Sequence, residues 1–336
     1  MNRRSLAREA VLTAEHVLAE TGLSPGDPVP VFDLIEDRGI WLSFEAGLDR
    51  LLGTYLRIGD TAGLAINAAR PLTLQRFTAA HELGHHELGH ESHLDLEATI
   101  TDPSHDPKEL QAQTFAASLL MSELSIEAQL EHWGHNPDRP DLNAADVYSI
   151  SAELGVSYQA AVTQLRVLGK IPAMSAQELC KVRPRRIKQM LLGGRRPDQQ
   201  WASVRRLTLA DHQREVVLNV ADEIDIALPE MPASGYEWVL PTDAGDVFEL
   251  VNDRREPSDP DLAGTLFSAA DRRHVTFKAY KPGRARLEFR SRRPGDECEG
   301  SAPLTMHAVT RALPVSELGQ GISTNQHDQL LARAGA

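Results

Sequence analysis

The 336-residue sequence holds only two cysteines, Cys180 and Cys298. They stand 118 residues apart with no Cys-x-x-Cys pair, which argues against a disulfide framework and against a cysteine zinc site. No stretch approaches about 18 uninterrupted apolar residues, so no segment is expected to span a membrane. A secretory signal is lacking as well. After Met1-Asn-Arg-Arg4, charges at Arg8, Glu9 and Glu15 interrupt any apolar core. Leu6, Ala10, Ala14, Val17 and Leu18 instead recur at helical spacing, and Gly22 sits where a C-cap would, which predicts an amphipathic surface helix. Two thiols without a secretory signal fit a reducing, cytoplasmic compartment. Positive charge is also in deficit: 35 Lys and Arg against 48 Asp and Glu give a net charge of −13. An acidic chain repels phosphate backbones, so wrapping DNA is disfavoured as the main role. No internal repeat of roughly 20–50 residues is present.

What is there suits a globular protein of about two domains. The chain is 41% hydrophobic and 25% charged. Residues 1 to about 175 are helix-rich, with helical patterns at 72–91, 109–121, 143–154 and 157–168 and one strand at Gly63–Asn67. Between Lys181 and Arg206 the composition shifts to nine Lys or Arg and one acid, Asp198, leaving the rest of the chain at −21. With Gly193-Gly194, Pro184 and Pro197, that stretch reads as a linker. From about 207 the period changes to two. Val216–Val220, Glu223–Leu228, His274–Tyr280 and Arg284–Arg290 are short strands between Gly and Pro turns, the pattern of an all-β sandwich.

The histidines are concentrated. Five of thirteen fall in Ala79-Ala-His-Glu-Leu-Gly-His-His-Glu-Leu-Gly-His-Glu-Ser-His93. On a helix, His81 and His85 lie one turn apart on one face, a spacing at which two imidazoles can hold one Zn²⁺. Glu82, one step round, is placed to take a proton from a metal-activated water. The motif recurs as His86-Glu87-x-x-His90, but five residues is about 500° of helix, so the two pairs cannot share a metal. The first copy is the stronger candidate. Phe77, His81 and His85 form a stripe that would face the interior, with Gln75-Arg76 on the wetter side, whereas Gly89-His90-Glu91 reads as a fraying helix end. His86, His90 and His93 are then exposed or sit behind the ligands. Catalytic zinc needs a third protein ligand. Glu109 heads the apolar stripe Ala112, Phe115, Ala116, Leu119 and Leu120. It could be that ligand, or it could simply start its helix, where the dipole favours an acid.

The run Arg76-Phe-Thr-Ala-Ala-His-Glu-Leu-Gly-His85, preceded by Leu64–Asn67 and followed by Glu109-x-Gln-Ala-x-x-Phe-Ala-Ala-x-Leu-Leu-Met121, resembles the ImmA/IrrE family of zinc metallopeptidases over roughly residues 5–175. The resemblance implies a zincin-like fold, His81, His85 and Glu109 as zinc ligands, and Glu82 as general base. It also implies an endopeptidase of regulatory type, connected with stress response, that cuts a repressor of the helix-turn-helix type. It makes Gly63–Asn67 an edge strand for the substrate, with Asn67, Tyr55 and His86 as candidate substrate-binding groups. Ser122 stands where the family usually has proline. The segment Ser149–Gly169 resembles a helix-turn-helix, with Leu154-Gly155-Val156-Ser157 as turn and N-cap. It either packs against the peptidase helices or, with the basic residues up to 206, touches DNA. Gln159, Gln164 and a single Arg166 on Tyr158–Leu168 favour packing.

In the second half, Glu230-Met-Pro-Ala-Ser-Gly-Tyr-Glu-Trp238, Gly264–Phe267 and Arg292-Arg-Pro294 resemble the three loops of chagasin-type peptidase inhibitors, over about 213–311. Met231, Ala233-Ser234 and Gly295 depart from the inhibitory loop residues, so the resemblance speaks for an immunoglobulin-like sandwich more than for inhibition. The expected class is α+β. It comprises a metallopeptidase domain (1–140), a helix-turn-helix-like extension (141–180), a basic linker (181–206), a chagasin-like β-sandwich (207–315) and a polar tail (316–336). The sandwich would recognise the substrate protein, hold the peptidase inactive, or inhibit a separate cysteine peptidase. The rivals to a zinc endopeptidase are a non-catalytic DNA-binding regulator and an interaction module with a structural zinc, the latter needing a fourth ligand such as His93 or Asp95.

Overall fold

The computed structural model describes residues 3–45, 47–48, 51–91, 93–96, 106–230, 235–240, 247–256, 271–293 and 305–313, with side chains given for all but 93–96 and 305–313. Gly264–Phe267, Met231, Ala233-Ser234, Pro294, Gly295, Cys298 and the tail from Ser316 lie outside the described residues. Among those described, the chain divides into two compact units, one up to Pro184 and one from Arg185 on. No described helix is long and apolar enough to cross a membrane.

The first unit mixes helices with one small sheet. Helix α1 (Arg3–Thr21) buries Ala10, Ala14 and Val17, the face that the spacing predicts. After the short α2 (Val31–Asp37) come β1 (Trp41–Glu45), β2 (Leu51–Ile58) and β3 (Thr61–Asn67). Helix α3 (Leu72–Glu87) follows, then β4 (His93–Leu96) and α4 (Pro107–Leu120). The sheet order is β1-β3-β2-β4. Strand β3 therefore has neighbours on both sides, β1 parallel and β2 antiparallel. The expectation that Gly63–Asn67 is an edge strand is corrected: the edges are β1 and β4. Leu64 and Ile66 pack inward beneath α3, and only an interior strand can use its pleat that way while hydrogen-bonding on both sides.

Helix α5 (Glu123–His132) starts at Ser122, whose Oγ accepts from the Ser125 N–H at 3.1 Å. The residue that departs from the expected proline thus caps the next helix. Helix α6 (Ala144–Leu154) opens on an Asn143/Asp146 capping box, Ser157 caps α7 (Tyr158–Val167), and α8 (Ala173–Lys181) closes the unit. The turn therefore falls where Leu154–Ser157 predicts it.

The second unit begins with α9 (Pro184–Leu191). Strands β5 (Val204–Leu207), β7 (Glu223–Glu230), β10 (Asp271–Ala279) and β9 (Phe248–Glu256) form one sheet in the order β5-β7-β10-β9. Strands β6 (Glu215–Asn219), β12 (Thr305–Leu313), β11 (Gly283–Arg292) and β8 (Glu237–Val239) form the other, in the order β6-β12-β11-β8. Ile224, Ile226 and Leu228 alternate inward on β7 and meet Trp238, Phe277 and Phe289 in a shared core. Trp238 donates its indole N–H to the Pro229 carbonyl at 2.8 Å.

The basic stretch 181–206 is folded. Besides α9 it contains β5, and two of its cations, Lys188 and Arg195, have partners within the second unit. Lys188, buried, donates to the carbonyls of Gln200 and Ala202 at 3.1 and 2.6 Å. Arg195 pairs with the fully buried Glu223 on β7, and Asp198 takes Lys278 of β10 at 2.7 Å. Arg254 of β9 reaches back to the Leu191 carbonyl at 3.1 Å. Residues 191–198 thus run over the outward face of the first sheet, which explains why β7 is buried on both sides. Lys181, Arg183, Arg185, Arg186 and Arg196 remain exposed.

Candidate metal centre

Helix α3 carries three of the chemically interesting residues, and its start is anchored by two polar side chains. Gln75 Nε2 donates to the Ala68 and Arg70 carbonyls at 3.3 and 2.6 Å. Arg76 donates to the carbonyls of Gly155 at 3.0 Å and Val29 at 2.7 Å. Gln75 is buried and Phe77 only half-buried. The expectation that Gln75-Arg76 marks the wetter side is therefore corrected: both point inward because backbone carbonyls there need donors.

One turn on, His81 and His85 face α4. Their Nε2 atoms are 3.2 Å apart. Glu109, in the first turn of α4, places Oε2 3.3 Å from His81 Nε2 and Oε1 3.4 Å from His85 Nε2. All three side chains are at most 1% exposed. Donors about 2.0–2.1 Å from a tetrahedral zinc lie roughly 3.3 Å from one another. The two imidazole nitrogens thus stand near the edge length of a zinc tetrahedron, each with a different Glu109 oxygen at a similar distance, and two imidazoles with one carboxylate are a donor set that zinc takes. Asp106 caps α4, accepting from the Lys108 N–H at 2.8 Å, with Pro107 in the first turn, so the helix starts where Glu109 turns inward.

Glu82 is fully buried, with its carboxylate against β2. The contact falls at Gly53, where a Cβ would lie 2.7 Å from Glu82 Oε1 and 2.5 Å from Thr78 Cγ2. Nothing in sequence periodicity singles out Gly53; the one available signal is a glycine inside a strand, which marks close approach. Two residues along the same face, Tyr55 meets His86, one turn after Glu82. Two strand residues span about 6.7 Å and four helical residues about 6 Å, so the two ladders stay in step. The Tyr55 hydroxyl lies 3.0 Å from His86 Nδ1, with the rings edge to face. Burial raises the Tyr55 hydroxyl above its usual pKa against the opposing pull of Arg57, and burial lowers His86.

The structure brings Tyr55 and His86 together but puts Asn67 to other use. Asn67 Nδ2 donates to the Leu51 carbonyl at 2.7 Å and its Oδ1 accepts from the Ala69 N–H at 3.0 Å, closing the end of β3.

The second His-Glu-x-x-His copy does not converge. Glu87 pairs with Arg38, which also reaches Glu20 at 2.9 Å. Helix α3 ends at Glu87, and Gly89 adopts φ +68°. The Gly89 N–H then bonds to the His86 carbonyl at 3.1 Å and the His90 N–H to the His85 carbonyl at 2.9 Å, the Schellman pattern. That turn folds His90 back, so that its Nδ1 lies 2.9 Å from His85 Nδ1. Burial holds the His90 imidazole below its ordinary pKa. The side chains of His93 and Asp95 lie outside the described residues.

The helix-turn-helix-like segment is tied to the same unit. Gln164 is buried and donates to the Met121 carbonyl at 3.0 Å, and Tyr158 donates to the Leu179 carbonyl at 3.0 Å. Lys170 holds Glu123 and Glu127. Of the polar side chains considered for DNA, Gln159 and Arg166 are exposed.

Residues 36–166 match the IrrE N-terminal-like domain, Peptidase_M78. A second match, to the chagasin family of peptidase inhibitors, covers residues 217–306. No curated protein matches the chain closely enough to count as a relative. Among solved structures, the cysteine protease inhibitor EhICP2 from Entamoeba histolytica is 21% identical, over 33% of this chain and 96% of that one, with a TM-score of 0.29. Amebosin is 18% identical, over 33% and 97%, with a TM-score of 0.25. PbICP-C, solved in complex with falcipain-2, is 16% identical, over 33% and 91%, with a TM-score of 0.21. Among the described residues, Arg293 lies over the Tyr236 ring at 4.8 Å.

Proposed function

We propose that the protein is a zinc-dependent endopeptidase of regulatory type, zincin-like in its first unit, that cuts a specific protein substrate. The observation that carries this reading is the cluster of three buried side chains, His81, His85 and Glu109, whose ligand atoms lie within 4.8 Å of one another, with Glu82 beside His81 on the helix. His81 and His85, through Nε2, and Glu109 would hold the ion and leave a coordination position open. Zinc bound there supplies Lewis acidity toward a peptide carbonyl and toward water. Glu82 accepts the proton of the attacking water and returns it to the departing amine nitrogen as the peptide bond breaks. Strand β4, an edge of this sheet among the described residues, is where an extended peptide would add as a further strand.

The family match supports a peptidase, and the sequence resemblance points to a helix-turn-helix repressor as substrate in the cytoplasm. A body at −21 outside the basic stretch suits a basic, DNA-binding protein as partner. The second unit serves substrate recognition or restraint. A chain ending at Pro184 separates these: loss of cleavage supports recognition, gain of cleavage supports restraint.

Glu82→Gln tests the enzyme. It should retain one zinc and lose cleavage of the repressor; cleavage equal to that of the natural protein would sink the reading. Zinc bound by the natural protein with no cleavage of any repressor offered would favour an interaction module with a structural ion.

A further inference from the structure

We infer that His90, from the second His-Glu-x-x-His copy, is a positioning residue for the metal centre: it fixes the tautomer and ring orientation of His85 through a hydrogen-bonded chain that ends on Glu9. The inference rests on His81, His85 and Glu109 being the zinc ligands.

If His85 binds through Nε2, its Nδ1 must carry the proton, because a neutral imidazole has one donor and one acceptor nitrogen. His90 Nδ1, 2.9 Å away, is placed to accept it. Accepting there leaves the His90 proton on Nε2, and the His90 ring has Gln111 as a side-chain hydrogen-bond partner. Gln111 is buried, and its Nε2 donates to Glu9 Oε2 on α1 at 3.1 Å. Every donor therefore points the same way, from the ligand outward to a carboxylate at the surface. Such chains orient a ligating imidazole and raise its basicity, and their loss weakens metal binding by about 10–100-fold.

The geometry is built by the backbone. The Schellman turn brings the second residue after the cap against the third residue before it, a place that usually holds an apolar contact. Here those two positions are His90 and His85, so the turn delivers a polar pair. The tandem motif is thus divided: the first copy presents donors to the ion, and the end of the second braces one of them.

The test measures zinc affinity of the full-length protein by competition with a chromophoric chelator, and the visible spectrum of the Co²⁺-substituted form. Two variants separate bracing from packing. His90→Leu keeps bulk but offers no acceptor, whereas His90→Asn puts an amide oxygen close to where Nδ1 lies. We expect His90→Leu to lose about tenfold or more in zinc affinity and to change the Co²⁺ spectrum, with His90→Asn close to the natural protein. Glu9→Ala, at the exposed end, should weaken affinity in the same direction with metal-free unfolding unchanged. Natural affinity and spectrum in His90→Leu would overturn the inference, as would His90→Asn proving as weak as His90→Leu. Absence of zinc binding by the natural protein would instead overturn the metal assignment beneath it.

Discussion

Gly53 of β2 and Glu82 of α3 meet so closely that a single methyl group on the strand would stand 2.7 Å from the carboxylate oxygen. The strand backbone is the wall against which the proposed general base rests. Thr78, one turn earlier, closes the other side of that contact.

Gly53→Ala should therefore move Glu82 while sparing the ligands, which face α4. A displacement near 1 Å at a reacting group costs on the order of 10²-fold in turnover. Zinc stoichiometry should stay at one per chain while kcat on the repressor falls by about that factor. Joint loss of zinc and activity would show that the strand supports the ligand cluster instead.

Zinc should stiffen a defined part of the molecule. A ligand present at 100 times its Kd stabilises the state that binds it by about 2.7 kcal/mol. Amide hydrogen exchange should slow in α3 and α4, which carry the three donors, and remain unchanged in β7 and β10. Treatment with EDTA should reverse it. Slowing spread evenly over both units would contradict a site confined to the first.

Lys188 offers a check on the second unit. Its ammonium satisfies the Gln200 and Ala202 carbonyls in a buried setting, and burial lowers its pKa. Lys188→Met leaves both acceptors without that donor, at roughly 1–3 kcal/mol for a buried group. Denaturant unfolding should show a lower midpoint with an unchanged slope.

The same unit should have an acid limb. Hydrogen bonds from Arg273, Lys278 and Arg254 hold Asp253, Asp198 and Glu256 below their ordinary pKa values. A carboxylate whose folded pKa is depressed adds stability above its unfolded pKa, and that stability is lost as pH falls through the folded value. Stability should therefore be steady near neutrality and decline from about pH 4 downward. Asp253→Asn should flatten that decline without steepening it elsewhere. The three carboxylates are exposed and their cations half-buried, so the effect should shrink in high salt.

Much of this was legible in the sequence, and the rest was hidden for identifiable reasons. The α3 and α4 patterns and the Leu154–Ser157 turn follow from local periodicity and capping, and they emerge within a few residues of their predicted bounds. The position of β3 does not, because strand order depends on β1 returning parallel beside it, a long-range pairing with no local mark. The β2–β3 hairpin did leave a signal, Gly59-Asp60 between two apolar runs, which composition alone passes over. The basic stretch looks like a linker because its partners, Glu223 and Lys278, lie 28 and 80 residues from Arg195 and Asp198. The link from His90 to His85 depends on one backbone angle at Gly89; the glycine marks a helix end in the sequence, but not that the turn carries a histidine back onto His85.

Helix α3 is pressed from two sides. Gly53 admits it against the sheet, and at Gly84 a Cβ would lie 2.9 Å from the Phe115 ring of α4, the helix that carries Glu109. The helix can neither retreat from β2 nor draw away from α4 without opening a void. The spacing of the three donors is therefore set by core packing before any ion arrives. A site whose width is held by packing would discriminate by ionic radius, favouring zinc or cobalt over a large ion such as calcium. The selectivity of the centre would then be written in two missing side chains as much as in the three donors.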